Sequence, residues 1–149
     1  MKSIIVTFVI AFSVLNLFCS AEQAEPISEE VVRDGVFIHI THSTDDVHKV
    51  LMALQMATIM SESRDVLVYF DIKGIEVVLK DAEDLEYSHF PSSLTQLETL
   101  LFNKVTIMAC PGCLKAAGKS AEDLRSGVQV ANKDTFFNFT KGRILTLDY

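Results

Sequence analysis

A chain of 149 residues with 20 acidic and 13 basic side chains and three cysteines is the size of one domain. Its net charge of −7 excludes a surface built to attract nucleic acid or anionic membranes. So few cysteines also exclude a scaffold held together by a dispersed disulfide framework.

The chain opens with Lys2, an apolar run over residues 4–17, and the small residues of Cys19-Ser20-Ala21. Charged start, apolar run and small-residue end are the order of a secretory signal, so residues 1–21 are expected to be a cleaved signal peptide. The run is shorter than the roughly 20 residues a membrane-spanning helix needs. A lipoprotein anchor at Cys19 fits less well, because Phe18 stands where a small residue is required. An uncleaved anchor is the other alternative. The expected location is periplasmic or secreted, with no membrane contact after cleavage. Cleavage after Ala21 removes Cys19 and Lys2 and leaves twelve basic residues against twenty acidic ones, a net charge of −8. Residues 22–34, acidic and carrying Pro26, read as a polar linker to a domain over residues 35–149.

Within that domain, buried strand-like runs alternate with helical patterns. Residues 36–41, 66–71, 104–109, 128–131 and 143–147 are the expected strands. Most are continuously apolar rather than alternating, as strands covered on both faces are. Apolar positions 47, 50, 51, 54 and 57 repeat with a helical period behind a cap at Thr44 or Asp45. Further helices are expected over residues 92–102 and 133–140, and a short one over 74–80. The rhythm predicts a three-layer α/β/α domain with a mostly parallel sheet of about five strands. Met52, Met56 and Met60 add a second apolar stripe to the first helix, expected to be a subunit contact. A copper(I) site is the alternative that thioethers allow.

The segment MACPGCLKAAGKS, residues 108–120, follows the third strand. Cys110 takes the N-cap position, Pro111 suits the first helical position, and Gly118 supplies a left-handed end. Cys113 then lies in the first turn, with free backbone amides and the positive dipole end facing both sulfurs, which favours thiolate. Three readings compete: reactive thiols, an inert disulfide, and half of a zinc site that lacks a second cysteine pair. His42, with Ser43 and Asp45, lies in the loop after the first strand on the same sheet edge as Cys110. It is a candidate for proton transfer or a solvated loop residue. Asp71 either orients a ligand or caps the next segment, and Lys115 either favours the thiolate or faces solvent. His39, in mid-strand, reads as a satisfied core histidine. Gly118-Lys119-Ser120 fails as a phosphate loop because Cys113 occupies the required glycine position. Ser120 with Asp123 makes a capping box instead. Asn138-Phe139-Thr140 fits a glycosylation sequon.

Cys110 to Gly118, followed by Glu122-Asp123-Leu124 and Gly127-Val128, resembles the DsrE/DsrF-like sulfur-relay proteins, including their YchN-like branch. That family has a cysteine at a strand end and a glycine eight residues later. Residues 38–46 (IHITHSTDD) resemble its first strand–helix unit, and the likeness runs from about Gly35 to the C-terminus. The resemblance implies a DsrEFH-type fold, homo-oligomers such as trimers or hexamers, no cofactor, and Cys110 as the sulfur-carrying cysteine, loaded as a persulfide. Cys113 is then a resolving or tuning thiol. Sulfur donor and acceptor proteins or small thiols are the implied partners. The departure is location, since the relay members work in the cytoplasm and this chain carries an export pattern. A thiol–disulfide oxidoreductase is the alternative. Against it, thioredoxin-like proteins carry Cys-Gly-Pro-Cys and a later proline, whereas here the inner pair is reversed and Pro111 is the last proline. A non-catalytic oligomeric binding module is the third possibility.

Overall fold

The computed structural model describes residues 31–149; the signal-peptide reading and the linker as far as residue 30 lie outside the described residues. The domain over Val31–Tyr149 holds five strands. These are β1 (Gly35–Ile40), β2 (Asp65–Phe70), β3 (Thr106–Ala109), β4 (Gln129–Val130) and β5 (Ile144–Asp148). They form one sheet in the order β4-β3-β2-β1-β5, and every neighbouring pair is parallel. The helices are α1 (Val47–Ser61), α2 (Ser93–Phe102), α3 (Pro111–Ala116) and α4 (Lys133–Asn138), with a 3₁₀ turn at Gly74–Val78 where a short helix was expected.

Element boundaries differ from the sequence expectations for local reasons. Asp46, not Thr44 or Asp45, caps α1 by accepting the Lys49 N–H at 3.2 Å. Asp45 is committed elsewhere, to the Ser43 N–H at 2.9 Å and to the His42 ring at 3.0 Å. Lys104 adopts a φ of 60°, so the chain is still turning where the third strand was expected to begin. β5 runs on to Asp148, which brings that carboxylate beside His39 in register.

Topology decides which face each helix covers. From β1 to β4 the chain steps across the sheet in one direction, and right-handed crossovers then lay their connections on one face. Ile38, Ile40, Val66, Val68, Phe70, Ile107 and Ala109 point to that side and join residues of α1, α2 and α3 in a single buried core. The step from β4 back to β5 reverses direction, so α4 lies on the opposite face, where Phe136 packs against Phe37 and Tyr69. The fold is the expected α/β sandwich, with its second helical layer reduced to six residues.

The methionine stripe divides. Met56 and Met60 pack against the core, while Met52 is exposed with Ile59. Each four-residue step rotates a side chain by about 40° around a helix of 3.6 residues per turn. The stripe therefore drifts from the solvent side at Met52 to the core flank at Met60, leaving Met52 and Ile59 on the open face.

Candidate functional site

All five strands point their carboxyl ends to one edge of the sheet, the edge where sites form in open α/β folds. Cys110 leaves β3 there, held by its N–H donating to the Phe70 carbonyl at 2.9 Å. It is the N-cap of α3, with extended φ/ψ of −63° and 120° and its sulfur accepting the Cys113 N–H at 3.3 Å. Pro111 occupies the first turn of α3, as expected. The helix ends in a full left-handed cap. Gly118 has φ +68°, its N–H donates to the Lys115 carbonyl at 3.1 Å, and the Lys119 N–H donates to the Leu114 carbonyl at 2.8 Å. The Ser120–Asp123 capping box also forms.

The two sulfurs, both free thiols, sit in different surroundings. Cys113 Sγ accepts the Ile72 N–H at 3.1 Å. Ile72 holds φ at +49°, a left-handed conformation that a β-branched residue rarely adopts. Its 63% exposed side chain gives no packing reason for that conformation, which aims the amide at the sulfur. Burial, the Cys110 sulfur and the nearby Asp71 carboxylate push the Cys113 thiol above its ordinary value. At Cys110, burial also pushes upward. There, hydrogen bonds from Tyr69, Cys113 and the amides of residues 113 and 112 outweigh it and hold the thiol below its ordinary value. Cys110 is therefore the more acidic of the two thiols, and Cys113 the less acidic.

The remaining side chains predicted from the sequence divide between this site and its periphery. Asp71 is brought in: its Oδ1 lies 2.9 Å from His39 Nε2, a close contact poorly aligned for a hydrogen bond. His42 is not brought to the sulfurs. Its Nδ1 lies 3.0 Å from Asp45 Oδ2 and its Nε2 3.2 Å from Lys49 Nζ, so both ring nitrogens are engaged within its own loop and the following helix. Lys115 stands exposed in the last turn of α3, on the solvent-facing side of its two readings.

Two residues of the site were missed by sequence reasoning. His39 is not a core histidine; it lies between carboxylates, with Asp71 on one side and Asp148 Oδ1 3.0 Å from Nδ1 on the other. Tyr69 stacks on His39 at 5.6 Å and stands close enough to the Cys110 sulfur to lower that thiol's pKa. Burial, followed by Cys110 and Asp71, pushes the Tyr69 phenol far above its ordinary range. The available signal was the alternation of polar tips along apolar runs: His39 in β1, then Tyr69 in β2 and Asp71 two residues on, just past its end, on the face that the core does not use.

Comparisons with known proteins agree with the fold. Residues 34–145 match the family model described as the DsrE/DsrF-like family. The ychN protein of E. coli is similar in structure, with a TM-score of 0.60 and 17% identity over 77% of this chain and 99% of that one. MTH1491 of Methanobacterium thermoautotrophicum, described as a protein of unknown function, is similar at a TM-score of 0.54 and 18% identity, with the same coverages. No curated protein sequence matches the chain.

Proposed function

The chain belongs to the DsrE/DsrF-like family, a family associated with sulfur relay, and from that premise we propose that it handles sulfane sulfur, carrying it as a persulfide on Cys110. The observation that supports this most is the split between the two sulfurs. Hydrogen bonds at the start of α3 make Cys110 the more acidic thiol, and burial beside it makes Cys113, one turn on, the less acidic. A thiolate is the nucleophile in sulfur exchange.

Cys110 thiolate attacks the outer sulfur of a donor persulfide R–S–SH; the new S–S bond forms as the donor's breaks, giving Cys110–S–SH and R–S⁻. Two exits follow. A partner thiolate attacks the outer sulfur, leaves as its own persulfide and returns Cys110 to thiolate. Alternatively Cys113 loses its proton to solvent and attacks Cys110 Sγ, closing a disulfide and expelling hydrosulfide; a thiol reductant must then reopen the pair. The raised Cys113 thiol disfavours this second exit near neutral pH and supports Cys113 as a tuning residue. Asp71, His42 and Lys115 have no chemical step in this scheme.

The same asymmetry would serve a thiol–disulfide oxidoreductase, so the test must separate sulfur transfer from dithiol exchange. Reduced protein exposed to a small-molecule persulfide, desalted and weighed intact, is expected to gain the mass of one sulfur atom. Cys110→Ser is expected to gain none. Insulin reduction with no gain of sulfur would establish the oxidoreductase reading instead.

The export reading rests on residues 1–21, and the size of the secreted form measures it. Phe137, Ile144 and Leu145, apolar and exposed, support self-association into the trimers or hexamers expected of the family. Light scattering measures this, and a monomer at micromolar concentration would contradict it.

A further inference from the structure

We propose that the Tyr69 phenol is the fixed hydrogen-bond donor for the Cys110 sulfur, acting above all when that sulfur is the leaving group in delivery to an acceptor. The proposal rests on the reading of Cys110 as the sulfur carrier.

The backbone places the two side chains together. In the β2–β3 register Tyr69 pairs with Met108, and Cys110 follows Met108 by two residues, so strand alternation puts Tyr69, Met108 and Cys110 on the same face. That face is the one covered only by α4. The phenol ring is confined there on three sides, by Phe37 at 6.1 Å, by His39 at 5.6 Å and by the edge of Phe136 at 5.0 Å. A ring held in this way keeps its hydroxyl in place without rotamer entropy to lose at the moment of reaction. The Tyr69 phenol is pushed above the ordinary range, first by burial, and so stays protonated, able to donate, near neutral pH.

The charged groups around the sulfurs leave this role to a neutral donor. Asp71 at the end of β2 and Asp148 on β5 are carboxylates, with His39 of β1 between them. Lys115 of α3 is exposed, and Lys73 and Lys49 are paired with Asp45 and Asp46. The Cys113 amide donates to Cys110 Sγ at 3.3 Å, and the other groups that lower the Cys110 pKa are likewise uncharged. Such a thiolate pays for its stability in nucleophilicity and gains as a leaving group, since a lower thiol pKa slows attack but speeds departure. In delivery, the acceptor thiolate bonds to the outer sulfur, the S–S bond to Cys110 breaks, and the electron pair lands on Sγ, where the Tyr69 hydroxyl meets it.

The test is Tyr69→Phe in the full chain, which removes one oxygen and keeps the ring. Labelling of Cys110 by iodoacetamide, read by peptide mass across pH, is expected to shift its midpoint upward by about one pH unit, roughly tenfold less thiolate at a fixed lower pH. Sulfur delivery from the preloaded protein to a small thiol is expected to slow, with attack per thiolate unchanged or faster. An unmoved midpoint in a variant that melts like wild type overturns the proposal. If the variant does not fold, the tyrosine near-ultraviolet band is followed on wild type and on Cys110→Ser. A perturbation that tracks Cys110 ionisation and vanishes in Cys110→Ser supports the proposal, and its absence from wild type overturns it. A wild type that takes up no sulfur while the midpoint shifts removes the carrier reading and leaves the hydrogen bond standing. Sulfur uptake with an unmoved midpoint does the reverse.

Discussion

Leu114→Ala tests whether packing, rather than local sequence, holds the sulfurs in place. α3 has six residues, and a helix that short does not form on its own. Leu114, 2% exposed, is its only buried residue and ties it to the core containing Leu79 and Leu124, whose backbones bridge. Truncating a buried leucine costs about 2–5 kcal/mol. Leu114 lies near the end of the sheet, where neighbours can close part of the gap, so the lower half of that range, about 2–3.5 kcal/mol, is expected. A domain with a typical stability of about 5–15 kcal/mol remains folded after such a loss. The site does not stay intact: once the anchor loosens, the amides of residues 112 and 113 no longer hold their positions against Cys110 Sγ. Urea unfolding gives the stability change, and the labelling midpoint of Cys110 gives its acidity; the midpoint is expected to move toward the ordinary thiol value of about 8.5. A loss below about 1 kcal/mol, or a full stability loss with an unmoved Cys110 midpoint, would refute the link between core packing and thiolate.

Three further substitutions probe the supports. Gly118→Ala meets open space but keeps φ at +68°, so urea unfolding should show a loss of about 1–2 kcal/mol from strain alone. Gly74→Ala places a Cβ against the Ile40 carbonyl oxygen, which is backbone and cannot give way; a loss above about 2 kcal/mol is expected in the same assay. The Asp84 carboxylate accepts the Leu94 N–H at 2.9 Å and the Ser93 hydroxyl at 3.2 Å. Modest burial raises its pKa, but these bonds outweigh it and hold the group below its ordinary value. A depressed carboxylate stabilises the fold above its unfolded value of about 3.9 and loses that contribution as pH falls through the folded value. Asp84→Ala should therefore cost about 0.5–1 kcal/mol near neutral pH, solvent screening included, and the gap from wild type should close in acid.

The fold was legible in the sequence wherever one residue type answers one backbone need. Continuous apolar runs such as VLVYF announced strands covered on both faces, and Cys110, Pro111 and Gly118 marked the start and end of a helix six residues long. The cysteine pair itself needed no tertiary information, since both sulfurs belong to one helical turn. What the sequence hid depends on strand order. His39 of β1, Asp71 just past β2 and Asp148 of β5 meet only because β1 lies between β2 and β5. Tyr69 was concealed by its setting: inside an apolar run its ring reads as core, and only the β2–β3 register puts it on the face that Cys110 shares. His42 misled for the opposite reason. The correct sheet edge placed it near the sulfurs in sequence terms, but Asp45 and Lys49 engage both its nitrogens.

Site-resolved alkylation of the reduced wild-type protein across pH measures the two sulfurs separately and tests the account at its base. Cys110 is expected to reach half-labelling below the ordinary thiol value of about 8.5, with Cys113 following only above it. Equal midpoints, or Cys113 labelling first, would contradict it.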